Sequence, residues 1–375
     1  MELKTLLTAV LTALACVTAG ADGGGATVRP GELWPDTDGN HINAHGGGVL
    51  LHEGTYYWFG EHKAERTSAA LVGVTCYSSA DLTTWQYRGV ALGVSDEKGA
   101  DLERGCVMER PKVIYCRQTG QFVMWLHLEL KHRGYEAARY AVAVSDKPEG
   151  PYKFMYSARA NAGKWPVEFG VKDIEQAERL DADEYKEWWT PQWRQAVKEG
   201  LIVKRDREGG QMSRDMTLYV DDDGTAYHIF SSEENLTIHI AELTPDYLHH
   251  TGRYTRLAPA GHNEAPTLFK HDGTYWMITS GCTGWDPNEA RMFSARSIWG
   301  PWTQHRNPCR GPKAELTFGG QGTFVLPLEG GRFVFMADVW RPRRPIDARY
   351  IWLPITFSEE GMPEIHWKDE WVLKP

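Results

Sequence analysis

Cysteine is scarce in this chain and poorly spaced for chemistry. Six occur, Cys16, Cys76, Cys106, Cys116, Cys282 and Cys309. No two form a Cys-x-x-Cys pair, so a zinc or dithiol redox site has little support. A His-Glu-x-x-His helix is absent as well. Basic charge also falls short: 41 Lys and Arg stand against 50 Asp and Glu, a formal net charge of -9. Neither nucleic acid nor an anionic membrane surface is therefore an expected partner. No apolar run, the N-terminal stretch included, is long enough to span a bilayer. Low-complexity tracts are lacking, and nothing marks a second domain.

The N-terminal stretch reads as a secretory signal over residues 1–21. Lys4 is its basic end, Leu6 to Val17 its apolar part, and Ala19-Gly20-Ala21 a small-x-small cleavage site. The expected location is secreted or periplasmic. Leu14-Ala15-Cys16 loosely matches a lipoprotein box, which keeps lipidation at Cys16 as an alternative. Cleavage after Ala21 leaves five cysteines, so at least one stays unpaired. Residues 22–30 are expected to form a flexible lead-in and residues 31–375 a single domain.

What the chain has in abundance is repetition. Five times, a polar residue opens a short apolar run that ends at a turn glycine and continues into an aromatic-rich run. The openers are His45, Glu109, Asp215, Glu264 and Gln321; the glycines are Gly54, Gly120, Gly224, Gly273 and Gly330. In four repeats the glycine follows nine positions after the opener; in the second it follows eleven. The runs beyond it include Tyr56-Tyr57-Trp58-Phe59 and Tyr275-Trp276-Met277-Ile278. A hairpin repeated with a polar group at one fixed place predicts an all-β, five-bladed β-propeller whose five openers converge on its axis. Three openers are carboxylic acids, and converging carboxyl groups are what glycosidic bond hydrolysis uses. The 16 Trp and 16 Tyr serve mainly strand packing, with a remainder available as sugar platforms.

The widest gap between turn glycines, from Gly120 to Gly224, predicts a helical insertion over 161–210, between the second and third blade motifs. Its helical composition lies in 181–189 and 191–199, with Thr190-Pro191 as cap and first turn and Gly200 as a stop. A rim or lid over the propeller face and a surface excursion both fit it. Ser79 to Trp85, Ser145 to Tyr152 and Ser297 to Trp302 carry turn chemistry with an aromatic anchor and read as closures of the first, second and fourth blades.

Together these motifs resemble glycoside hydrolase family 43, over nearly all of the chain beyond the leader. The resemblance implies an inverting glycosidase. Ser213-Arg214-Asp215-Met216-Thr217-Leu218 through the Asp-Gly turn at Gly224 looks like that family's third-blade motif, which gives Asp215 the role of tuning the acid. His262-Asn263-Glu264-Ala265-Pro266-Thr267 looks like its fourth-blade motif, which makes Glu264 the proton donor. Burial and a facing carboxylate should raise the pKa of such a donor.

The first blade departs from the pattern. Where the family's base aspartate would stand, the chain reads Ala44-His45-Gly46-Gly47-Gly48. That departure resembles the exo-β-1,3-galactanase branch, as do Asn43-Ala44-His45-Gly46-Gly47 and Tyr56-Tyr57-Trp58-Phe59-Gly60-Glu61. In that branch a second-blade glutamate and a fifth-blade glutamine lie in the site. Glu109, in Met108-Glu109-Arg110-Pro111-Lys112, and Gln321, in Gly320-Gln321-Gly322, match those places. Glu109 is the favoured water-activating base, Gln321 the alternative, and His45 a third candidate. The expected substrate-binding set is His45, Glu61, Arg110 and Trp285, the last as a stacking platform. No cofactor is required. The family's axial ion is allowed as a structural calcium, although Gln321 replaces the histidine that usually holds it.

The implied activity is the removal of terminal sugars from an oligo- or polysaccharide, first as an exo-β-1,3-galactosidase. A β-galactofuranosidase or α-L-arabinofuranosidase is the alternative of the same class. A non-catalytic carbohydrate-binding propeller is the alternative of another class, although keeping both Asp215 and Glu264 speaks against it. Oligomeric state stays open.

Overall fold

The computed structural model describes residues 26–374. The expected leader, its cleavage site and Cys16 lie outside them. Five antiparallel sheets follow one another along the chain and form the propeller. The first blade runs through His45–His52, Thr55–Glu61, Gly73–Ser79 and Gln86–Gly93, and the second through Val107–Cys116, Gln121–Glu129, Arg139–Ser145 and Lys153–Ala158. Met216–Val220, Ala226–Ser232, Thr237–Leu243 and His250–Leu257 make the third; Glu264–His271, Thr274–Ser280, Arg291–Ala295 and Thr303–His305 make the fourth. The fifth holds Gln321–Leu328, Arg332–Val339, Arg349–Phe357 and Pro363–His366, with Cys309–Arg310 added in parallel to its last strand.

Local chemistry explains the hairpins. All five turn glycines adopt φ between +69° and +85°, a conformation that side chains disfavour. The aromatic second strands then pack between blades. Five apolar cores result, one for each pair of neighbours. Val74 and Cys76 meet Met108 and Met124 between blades one and two. Val123 and Trp125 meet Leu218 and Phe230 between two and three. Ile229 and Ile240 meet Met277 and Phe293 between three and four, and Ile278 meets Phe335 and Leu353 between four and five. Trp58 and Trp85 meet Val334 and Trp352 where blades one and five close the ring. That last core also takes Val28 and Leu373. They belong to a short pair, Ala26–Val28 against Trp371–Leu373. Residues 26–28, expected in a flexible lead-in, are therefore a strand that pins the seam.

The insertion is helical and spans the expected 161–210, closed by the Ala160–Gln211 bridge, but the helices within it differ from those expected. Helices α1 (Val171–Arg179), α2 (Pro191–Lys198) and α3 (Leu201–Asp206) form it, with one 3-10 turn at Ala182–Glu184. Thr190 caps α2 as expected, its side chain accepting from the Trp193 amide at 3.1 Å. Gly200, at φ +103°, separates α2 from α3 rather than ending the helical segment. Residues 181–189 do not extend into a helix. There the Asp181 side chain caps only the short 3-10 turn by taking the Asp183 amide at 3.0 Å, and Trp189 turns left-handed just before α2. Trp193, Ala196, Val197, Leu201 and Ile202 form a small core with Leu236 and Ala260 of the propeller. Among the described residues, no helix is long and apolar enough to cross a membrane, and all five cysteines are free.

Candidate active site

Four of the five openers line one cavity of about 340 Å³ at the axis: Glu109, Asp215, Glu264 and Gln321, joined by Glu61, Arg110 and Trp285. A break in the ladder accompanies three of these openers, Glu109, Glu264 and Gln321, while Asp215 stands just before a regular strand. In the first, second, fourth and fifth blades the innermost hairpin shifts register just after the opener. The residue after it is left-handed at Gly46 (φ +62°), Arg110 (+55°) and Ala265 (+52°). Such bulges turn a side chain away from the regular pleat.

His45 is the exception. It is fully buried and does not line the cavity. Its ring stacks on Tyr350 at 5.0 Å, and its Nδ1 lies 3.7 Å from Asp338. The structure therefore places it behind the site, out of reach of a substrate in the cavity. The glycines after His45 serve protein contacts: a Cβ on Gly47 would lie 1.6 Å from the Phe59 carbonyl oxygen, and one on Gly46 would lie 2.2 Å from Glu61.

Arg110 is the hub. Its Nη2 donates to Asp215 Oδ2 at 2.8 Å and to Gln321 Oε1 at 2.6 Å, its Nη1 to the Gly322 carbonyl at 2.9 Å, and its amide to Glu61 at 3.0 Å. Glu61 forms an ion pair with the buried Lys63. Glu109 accepts from the Tyr135 hydroxyl at 2.9 Å on Oε1, and Oε2 lies 3.1 Å from His127 Nδ1. His127 faces Glu129 on its other side at 2.9 Å. Burial alone would raise the Glu109 pKa, but His127, Lys63 and the Tyr135 hydroxyl together outweigh it and hold the carboxyl down to about 2. Burial lowers the His127 value; the two carboxylates more than offset that and lift it to about 9.

Glu264 stands apart. Gln321 Nε2 donates to its Oε1 at 2.9 Å, and Asn235 Nδ2 approaches its Oε2 at 3.3 Å. Both partners are neutral amides, and the neutral Cys282 thiol bonds the carboxyl as well. Of the four cavity carboxyl groups, Glu264 alone has no cation in contact among the described residues. Burial, then the charge of Asp215, push its pKa up to about 7, against a smaller downward pull from Arg110. Burial raises the Glu61 carboxyl as well, with Lys63 opposing it; what sets Glu264 apart is a raised pKa with no cation in contact, a surrounding suited to a proton donor.

Sequence reasoning missed several cavity residues: Lys63, Ser68, His127, Tyr135, Asn235 and Trp340. His127 had a readable signal, since it lies directly opposite Glu109 in the second hairpin. Trp340, which donates to Gln321 Oε1 at 2.8 Å and meets Trp285 edge-on at 5.9 Å, follows the fifth hairpin with no motif around it. Trp285 itself is 41% exposed and free to offer a face.

An axial cation does not fit beside Gln321. Its amide is fully engaged by Arg110, Trp340, Glu264 and Ser280, and the Arg110 guanidinium would oppose a second positive charge there. Glu109, His127 and Asp215 do present donor atoms within 4.8 Å of one another, but the same arginine and the raised basicity of His127 already balance those acids.

Known proteins resemble this chain over most of its length. Residues 181–363 match the family model for glycosyl hydrolases family 43. A solved β-1,3-galactosidase of that family, with galactodeoxynojirimycin, is 60% identical over 92% of this chain and 99% of its own, with a TM-score of 0.90. An exo-β-1,3-galactanase from Phanerochaete chrysosporium, with β-1,3-galactotriose, is 32% identical over 93% of this chain and 68% of its own, with a TM-score of 0.75. A xylan 1,3-β-xylosidase from Vibrio sp is 30% identical over 124 residues, which span 30% of this chain and only 23% of that protein. With the shared propeller and the near-complete overlap with the first of these, the chain belongs to glycosyl hydrolase family 43, on its galactanase-like side, and is a glycosidase.

Proposed function

We propose that this protein removes terminal galactose from β-1,3-linked galactan chains by single displacement, outside the cytoplasm. The observation that carries the mechanism is that Glu264, among the described residues, has no cation in contact in a cavity where the other carboxyl groups are paired. The galactose preference is supported by the likeness to a β-1,3-galactosidase over nearly its whole length. Export is supported by the leader-like residues 1–21.

Glu264 gives its proton to the departing sugar oxygen. Asp215, held by Arg110, keeps a negative charge nearby and so keeps that proton in place until it is needed. Glu109 takes the proton of the attacking water. Its low basicity suits this order of events: water becomes strongly acidic once it bonds to an oxocarbenium-like carbon, so a weak base suffices late in the step. Gln321, bonded to both Arg110 and Glu264, fixes the acid relative to the rest of the site. Trp285 and Trp340 line the cavity as faces for sugar packing.

The experiment is hydrolysis of β-1,3-galactobiose and aryl β-galactosides by the protein and its Glu264→Gln variant, with early product followed by NMR. Inverted galactose should appear first. The variant should lose about 10²–10⁴-fold on galactobiose and much less on dinitrophenyl galactoside, which needs no proton. Retained configuration, or equal losses on both substrates, would overturn the scheme.

A further inference from the structure

The helical insertion contributes no side chain to the cavity among the described residues, yet it grips both chain segments that flank the acid. One is the turn after the second strand of blade three. Glu233, Glu234 and Asn235 are all left-handed there, at φ +51°, +59° and +61°. Three such non-glycine residues in succession persist only where their surroundings hold them.

The hold is visible residue by residue. Glu233, fully buried, is clamped by Arg256 through two bonds of 2.7 and 2.8 Å. The same guanidinium donates to the Val197 and Lys198 carbonyls at the C-terminal end of α2, at 2.7 and 2.9 Å, where a cation also suits the helix dipole. Glu168 of the insertion accepts the Arg256 amide at 3.1 Å, and Phe169 lies under its guanidinium. Glu234 joins Arg205 of α3, at 2.9 Å, to Arg214, at 3.1 Å, one residue before Asp215. Leu236 is buried in the core of the insertion. The second gripped segment is 260–262: Ala260 enters that same core, and Trp189 packs on His262, two residues before Glu264. Within the first segment, Asn235 faces the acid. Its Nδ2 faces Glu264 Oε2, and its Oδ1 is buried with no partner. Amide oxygen and nitrogen can exchange places by a half-turn. Turned over, Asn235 would accept the proton of neutral Glu264 through Oδ1.

We propose that the insertion is a brace for the proton donor: through the Arg256–Glu233 clamp it holds the left-handed turn so that Asn235 fixes the acid oxygen of Glu264. Asn235 is then a positioning residue for proton transfer, and Arg256 acts through it. This rests on Glu264 being the acid.

The test uses the full protein with Asn235→Ala, Arg256→Lys, the double variant, and Glu264→Gln as reference. Lysine keeps a positive charge beside Glu233 but lacks the fork that also reaches α2. Each is assayed for kcat on β-1,3-galactobiose and on dinitrophenyl β-galactoside. Asn235→Ala should lose about tenfold on the disaccharide, the scale of one hydrogen bond to an ionisable group, and little on the aryl substrate. Arg256→Lys should show the same split, and the double variant should be no worse than Asn235→Ala alone, because both changes act through one contact. Equal losses on both substrates, or effects that add in full, would reduce the clamp to general stability and overturn the proposal. If Glu264→Gln shows no leaving-group split, the acid assignment itself falls and the brace with it. If Glu264→Gln shows the split while Asn235→Ala and Arg256→Lys do not, only the brace falls.

Discussion

Replacing Asp215 by Asn tests whether a neighbouring charge poises the acid. Glu264 is raised to about 7 first by burial and second by Asp215, while Arg110 pulls it down. The substitution keeps the shape of the side chain, removes the negative charge and frees the Arg110 guanidinium that Asp215 now binds at 2.8 Å. Both changes favour ionised Glu264, so its pKa should fall by about one unit. A group titrating near 7 is half protonated at pH 7; one titrating near 6 is protonated in about one molecule in eleven, a loss of about fivefold in competent enzyme. The assay is the pH dependence of kcat on galactobiose. The alkaline limb of the variant should move toward acid by that unit, and the ratio of variant to parent activity should recover between pH 7 and pH 5. A limb that stays in place would show that burial alone sets the acid. A limb displaced toward alkali would refute the assigned electrostatics.

Glu264→Gln should also stabilise the fold at alkaline pH. The folded pKa, about 7, lies above the ordinary 4.5, so the group favours the fold fully below 4.5 and that contribution is lost as pH rises through 7, on the order of 3 kcal/mol before solvent screening reduces it. The gain in Tm should therefore be present at pH 8 and absent at pH 4. Glu109→Ala should cut galactobiose hydrolysis severely, with azide partly restoring turnover as a glycosyl azide of inverted configuration; near-normal turnover without azide would move the base to Gln321. Trp58→Ala, at a side chain 1% exposed in the seam between blades one and five, should cost about 3–5 kcal/mol in urea unfolding, and a cost below 1 kcal/mol would argue against that core as the ring closure.

Much of the molecule was legible because its regularities are local. The spacing from opener to turn glycine lies within one hairpin, and a left-handed turn selects glycine whatever surrounds it, so five blades could be counted from residue types alone. Asp215 and Glu264 stand at the head of such hairpins with their turn motifs intact, and the break before Asp215 marked the insertion. The thiols could be seen to lack ligand spacing for the same reason. The rest depends on contacts that exist only once the ring has closed. Arg110 meets Gln321 across 211 residues of sequence, and nothing local shows that this guanidinium satisfies Asp215 and leaves Glu264 with neutral partners. His45 shares the position of the other openers yet is buried, because packing against Tyr350 and Asp338 decides where its ring goes. Residues 181–189 have helical composition but form only the short 3-10 turn that Asp181 caps, and Trp188 and Trp189 pack on Trp193 beyond it. The left-handed turn at Glu233 to Asn235 carries no glycine to announce it, since its conformation is imposed from outside by Arg256 and α2. Sequence periodicity determined the repeating frame and the carriers of charge; tertiary packing decided which carboxyl group keeps its proton, because desolvation and pairing are properties of neighbours brought together from different blades.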